Sequence, residues 1–110
     1  MKIAVTSQNF RTVTGHAGKT RKFLVFEADG AGGLAEVDRI SLPKENAIHA
    51  HPPGAPHPLD EVDFVITSGC GQGFVNKMAA RGVRVWISER EDPREAAAEL
   101  LAWLKANGAS

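Results

Sequence analysis

The stretch that most constrains this chain runs from Val62 to Trp86, VDFVITSGCGQGFVNKMAARGVRVW. It reads as strand, glycine loop, helix, glycine stop, strand. Phe64, Val65 and Ile66 make the short apolar run expected of a strand covered on both faces. From Ser68 to Gly73 every second residue is glycine, which lets the backbone turn tightly without Cβ clashes. Phe74, Val75, Met78 and Ala79 fall on one helical face, and Asn76, Lys77 and Arg81 point away from it. Gly82 suits the left-handed position that ends a helix. Val83 to Ile87 is then a second strand. Two strands joined by a helix in this length form a right-handed βαβ unit with parallel strands. Ligands in open α/β sheets sit at the carboxyl ends of the strands. The loop from Thr67 to Gly73 is therefore the first place to look for function.

The rest of the chain fits around this unit. Lys2 to Thr6 predicts strand 1. Ser7 to Arg21 is polar, contains glycine and reads as a mobile loop. Phe23 to Phe26 predicts strand 2, and Leu34 to Leu42 predicts strand 3. The turn Asp29-Gly-Ala-Gly-Gly33 is too short for a parallel crossover, so strands 2 and 3 pair antiparallel. Strand 3 alternates imperfectly, as an edge strand does. Pro52, Pro53, Pro56 and Pro58 rule out a helix of more than two turns between Pro43 and Asp60, with one helical turn expected near Lys44 to Ile48. The last helix is signposted by Asp92 as N-cap, Pro93 at the first position, Glu95 at the third and Asn107-Gly108 as the stop. Ala96, Ala97, Leu100, Leu101 and Leu104 form its buried stripe. The expectation is an α/β protein, one domain over residues 1–110. Its five-stranded mixed sheet has flanking helices, with strands 1, 4 and 5 parallel and the 2–3 hairpin beyond strand 1.

Composition excludes several classes. Thirteen basic residues balance thirteen acidic ones, which argues against a nucleic-acid or anionic-membrane surface. No apolar run approaches the roughly 20 residues of a membrane span. The opening Met1-Lys-Ile-Ala-Val5 enters a strand at once, so no signal peptide is expected. One cysteine excludes an intrachain disulfide and a CxxC site, and fits a reducing cytoplasm.

Three stretches can carry chemistry. Gly15-His-Ala-Gly-Lys-Thr20 ends like a phosphate loop, but Val13 stands where its first glycine belongs and a strand follows where a helix is required. Gly69-x-Gly-x-Gly73 lacks dinucleotide-binding spacing and remains a weak anion loop at a helix N-terminus. His16 lies between small residues in the glycine loop, free to ligate a metal or simply exposed. Cys70 is either a thiolate stabilised by the helix N-terminus or a small residue filling space. His49 and His51 face one side if their segment is extended, and with His57 can hold nickel, zinc or copper. The plain alternative is a solvated loop. No nucleophile–base pair or paired carboxylates assemble at the strand ends. Asp60, Glu61 and Asp63 precede strand 4, at the other end of the sheet from Cys70. No enzyme is expected.

With these residues laid out, the chain resembles the dinitrogenase iron–molybdenum cofactor biosynthesis domain family, the NifX-like proteins. The resemblance rests on Met1-Lys-Ile-Ala-Val5, Thr14-Gly-His-Ala-Gly18, Lys22-Phe-Leu-Val-Phe26, Val62-Asp-Phe-Val-Ile66, Gly69-Cys-Gly-Gln-Gly73 and Arg81-Gly-Val83, and spans nearly the whole chain. Members typically show His-Phe-Gly where His16-Ala-Gly18 stands, and Gly-Met-Gly-x-Gly at Gly69–Gly73. The resemblance implies a ribonuclease-H-like fold without nuclease carboxylates. It also implies a non-enzymatic carrier of an iron–sulfur cluster or an iron–molybdenum cofactor precursor. His16, Cys70, Gly69, Gly71 and Gly73 would form its cofactor-binding surface, and cofactor-assembly or acceptor proteins would be its partners. Carrying a finished cluster needs only one or two protein ligands, whereas building one on the protein takes about four thiolates. The competing reading is a divalent-metal or regulatory module built on His49, His51 and His57.

Overall fold

The computed structural model describes residues 1–108. Five strands form one sheet: β1 (Lys2–Thr6), β2 (Lys22–Ala28), β3 (Leu34–Ser41), β4 (Phe64–Thr67) and β5 (Arg84–Ile87). Their order is β3-β2-β1-β4-β5. β1 pairs parallel with β4 and β4 with β5, while β2 pairs antiparallel with both β1 and β3. The two helices are α1 (Gln72–Ala79) and α2 (Pro93–Ala106). This is the mixed α/β topology expected from the βαβ unit and the short hairpin turn.

Local chemistry explains each join. The Asp29 carboxylate accepts from the backbone N–H of Ala31 at 2.7 Å and of Gly33 at 2.9 Å, closing the hairpin. In β3 the register slips between Val25 and Phe26 of its partner, which face Asp38 and Glu36. Val37 is the extra residue of that bulge, half exposed, and the bulge explains the broken alternation. Gly82 takes φ of +77°, and the Val83 N–H donates to the Met78 carbonyl, so the chain leaves α1 straight into β5.

Side chains alternate across a strand, and here both faces are covered. One face carries Ala4, Phe23, Val25 and Val65 against Phe74 and Met78 of α1, with Ile48 and Leu59 from the proline-rich segment. The other carries Ile3, Val5, Leu24, Phe64 and Ile66 against Ala96, Ala97, Leu100 and Leu104 of α2. Ala79 is exposed, contrary to its expected place in the packed stripe of α1. Arg81, expected to point into solvent, is half-buried and bonds the proline-rich segment. That segment holds only short 3-10 turns, Lys44–Asn46 and Pro58–Glu61.

The polar loop between β1 and β2 is ordered rather than loose. The Gln8 side chain accepts from the N–H groups of Arg21 and Lys22. Ser7 Oγ donates to the Thr12 carbonyl at 2.7 Å, and the Val13 N–H donates to Glu91 at 2.8 Å. Hydroxyl and amide side chains satisfy backbone groups that hydropathy alone leaves unassigned.

Candidate functional site at the carboxyl edge of the sheet

β1 and β4 run parallel as neighbours, so the loops that follow them leave the same edge. The carbonyl of Thr14 ties the two loops together. It accepts from Thr6 Oγ1, from Thr67 Oγ1 at 3.1 Å and from the Ser68 N–H at 3.1 Å. The Ala17 N–H reaches the Gly69 carbonyl at 3.4 Å. A β-carbon on Gly15 would stand 3.0 Å from Ser68 Oγ, so glycine there permits the close approach. The loop after β1 thus folds back over the loop after β4.

A cavity of about 330 Å³ opens where they meet, lined by His16, Lys19, His49, Gly71, Gly73 and Lys77 among others. No acidic side chain lines it. His16 holds φ of +53° and ψ of +48°, a left-handed conformation uncommon for a residue with a β-carbon. Its carbonyl accepts from the Lys19 N–H and Thr20 Oγ1, which fixes that turn. No protein group among the described residues bonds its ring. Gly71 is the N-cap of α1 and offers no side chain to cap it, so the first N–H groups of the helix stay available to an anion.

Cys70 behaves differently. It packs, partly buried, against the α1-side core and does not line the cavity. Burial pushes its thiol pKa up, away from the thiolate that a helix N-terminus favours. It lies ahead of the N-cap, and its surroundings are apolar.

The three histidines of the proline-rich segment are not brought to one point. That segment is not extended at His49: the His51 N–H donates to the Ala47 carbonyl at 2.9 Å, a helical turn that sends residues 49 and 51 apart. His49 faces the cavity, while His51 and His57 pack edge to face with ring centroids 4.8 Å apart. His57 is 5% exposed and both ring nitrogens are occupied. Nδ1 accepts from the Leu59 N–H at 3.0 Å and Nε2 donates to the Asn46 carbonyl at 2.8 Å. Burial chiefly lowers its pKa, with His51 and Arg81 adding to the effect. His51 Nε2 lies 3.2 Å from the Ala55 carbonyl and 3.1 Å from that of Pro56. Among the described residues no group of three or more His, Cys, Asp or Glu is placed to hold a metal. The structure does not bring the expected His49, His51 and His57 together as one ligand set.

Arg81 fastens this segment. Its guanidinium donates to Asp60 Oδ1 at 2.8 Å and to the Ala55 carbonyl at 2.9 Å, and it holds the Asp60 carboxyl below its ordinary range. The sequence reading missed Arg81, Lys19 and Lys77. Lys77 sits one helical turn after Gly73, a spacing that places both on one side of α1.

Fold and cavity together define a small α/β domain with a basic, glycine-floored recess at the carboxyl edge of its sheet. The chain belongs to the dinitrogenase iron–molybdenum cofactor family, whose sequence profile matches residues 1–102. That membership supports a role in the biosynthesis or binding of the iron–molybdenum cofactor. No curated protein matches the sequence. Solved structures that share the fold include the following three. The crystal structure of PH0822 is 16% identical with a TM-score of 0.68, covering 94% of this chain and 90% of that one. A protein from Methanocaldococcus jannaschii, provisionally labelled a dinitrogenase, is 12% identical with a TM-score of 0.69, covering 94% and 89%. A Thermotoga protein, provisionally labelled NifB, is 16% identical with a TM-score of 0.61, covering 92% and 87%.

Proposed function

We propose that the chain is a non-enzymatic carrier of an iron–sulfur metallocofactor of the iron–molybdenum type, or of its precursor. One observation carries this reading. The cavity offers an unengaged imidazole, His16, beside a glycine helix cap and two lysines, with no carboxylate among its lining residues. Such a surface suits an anionic metal–sulfide cargo. Imidazole is a competent ligand for iron, and lysines and helix N–H groups stabilise negative charge. Few protein ligands also suit a protein that must release its cargo to an acceptor.

The donor set fits that cargo in kind and in number. His16 would hold the metal. Lys19, Lys77 and the N–H groups after Gly71 would meet its charge. Cys70 as a neutral thiol serves as packing beside the site. No helix of the described residues is long and apolar enough to cross a membrane, and a carrier of an oxygen-sensitive cluster fits a reducing cytoplasm.

Anaerobic purification with iron and sulfide analysis tests the reading. The protein should take up a brown, preformed iron–sulfur cluster capped by small thiolates, and the His16→Ala variant should bind it at least about tenfold more weakly while staying folded. Equal loading of that variant contradicts the ligand role of His16. A protein that binds only colourless divalent ions contradicts the carrier reading.

A further inference from the structure

We propose that His49 supplies a second imidazole to the same cargo, so that the cavity grips its metal from two separate segments. The inference rests on the carrier reading. His49 is tied to Gly18 twice: its backbone N–H and its ring Nδ1 each lie 2.9 Å from the Gly18 carbonyl. A carbonyl oxygen only accepts, so Nδ1 carries the proton and Nε2 keeps its lone pair. A backbone carbonyl on one ring nitrogen is the arrangement that orients a metal-ligating histidine and raises its basicity.

The other histidines of the proline-rich segment lack this freedom. His57 spends both ring nitrogens on the backbone; His51 directs Nε2 to two carbonyls, and its remaining nitrogen, Nδ1, is buried without a partner among the described residues and away from the cavity. His49 is the one of the three that lines the cavity, and it does so alongside His16. Gly18 lies two residues from His16, so the bond that orients the second imidazole anchors in the loop that carries the first. The segment holding His49 is itself fixed from beneath. Ala47 and Ile48 are buried, and Ile48 lies in the α1-side core and lines the same cavity. Two imidazoles on two segments give a chelate that releases when either segment shifts, which suits a cargo to be handed on.

The test uses a preformed iron–sulfur cluster capped by small thiolates, transferred anaerobically to protein labelled with 15N-histidine. Its readouts are bound iron and pulsed electron paramagnetic resonance of the reduced cluster. The informative variant is His49→Asn. Its side-chain amide N–H can keep the bond to Gly18, yet it has no atom at the Nε2 position. Circular dichroism of the variant checks that the fold is kept. The wild type should show couplings from two imidazole nitrogens. His49→Asn should lose one, keep the coupling that disappears in His16→Ala, and bind the cluster at least about tenfold more weakly. Loading with both couplings intact in His49→Asn overturns the assignment, as does a wild type with a single coupling lost only in His16→Ala; either result leaves the carrier reading standing. A wild type that takes up no cluster overturns the carrier reading and this inference together.

Discussion

At Gly71 and Gly73 a β-carbon would meet nothing within 4 Å, and neither residue takes a positive φ. The fold therefore does not require glycine at either position. What a side chain would do is narrow the cavity they line. Gly73→Ala should accordingly stabilise the protein, by up to about 1 kcal/mol, because alanine restricts the unfolded chain and favours helix. The same change should weaken uptake of a preformed, thiolate-capped iron–sulfur cluster. Urea denaturation and bound-iron analysis on one preparation check both halves. Stability and loading moving together would contradict the assignment. At this scale His16, Gly71 and Gly73 stood out in the sequence, because small residues around a histidine are visible as letters, and they line the cavity, while Gly69 does not. Lys77 was not legible, since a lysine on the polar face of a helix looks the same whether solvent or a cavity lies beside it. Cys70 misled for a related reason: its distance along the chain from the helix start is plain, but the apolar packing that raises its pKa comes from residues remote in sequence.

The proline-rich segment is held by buried polar contacts rather than by helix or strand. His57 is its hinge pin. Its Nδ1 accepts the Leu59 N–H, so a proton added there would face another N–H, and burial further disfavours the charge. The folded-state pKa thus lies below the ordinary value of 6.5. Above that value the contribution of His57 to stability is fully present. As pH falls below it the unfolded chain gains a proton first, and stability is lost until the folded-state pKa is passed. Chemical denaturation should show the wild type losing stability between about pH 7 and about pH 5, in the ordinary histidine range. His57→Gln should be less stable at neutral pH and lose less across the same interval. A parallel pH dependence in both proteins would contradict the buried-imidazole account. The absence of a long helix here followed from the prolines. The parting of His49 from His51 did not, because a turn at Ala47–His51 depends on what Ile48 packs against. By contrast, α2 was fully readable from its cap and its stripe. Leu100 is wholly buried in the core between α2 and the sheet, so Leu100→Ala should cost about 2–5 kcal/mol, read as a lower denaturation midpoint with cluster binding by the folded protein unchanged.

For the whole molecule, topology makes the site. Placing β1 beside β4 in parallel sets two loops far apart in sequence on one edge, and the Thr14 carbonyl then locks them. The parallel arrangement was legible from the βαβ unit, and with it the convergence of His16 and the glycine loop. The third wall was not, because the segment bearing His49 has no periodic pattern and is placed by Arg81, Asp60 and His57. The central claim is that this edge holds the cargo. The most direct measurement is amide nuclear magnetic resonance of 15N-labelled protein during anaerobic transfer of a preformed, thiolate-capped iron–sulfur cluster. A paramagnetic cluster broadens the amides nearest to it. The account predicts that broadening begins at residues 16–19 and 71–74, extends to His49, and leaves Glu27, Ala35 and Glu61 at the opposite end of the sheet sharp. Broadening centred on that opposite end, or confined to residues 51–57, would contradict it.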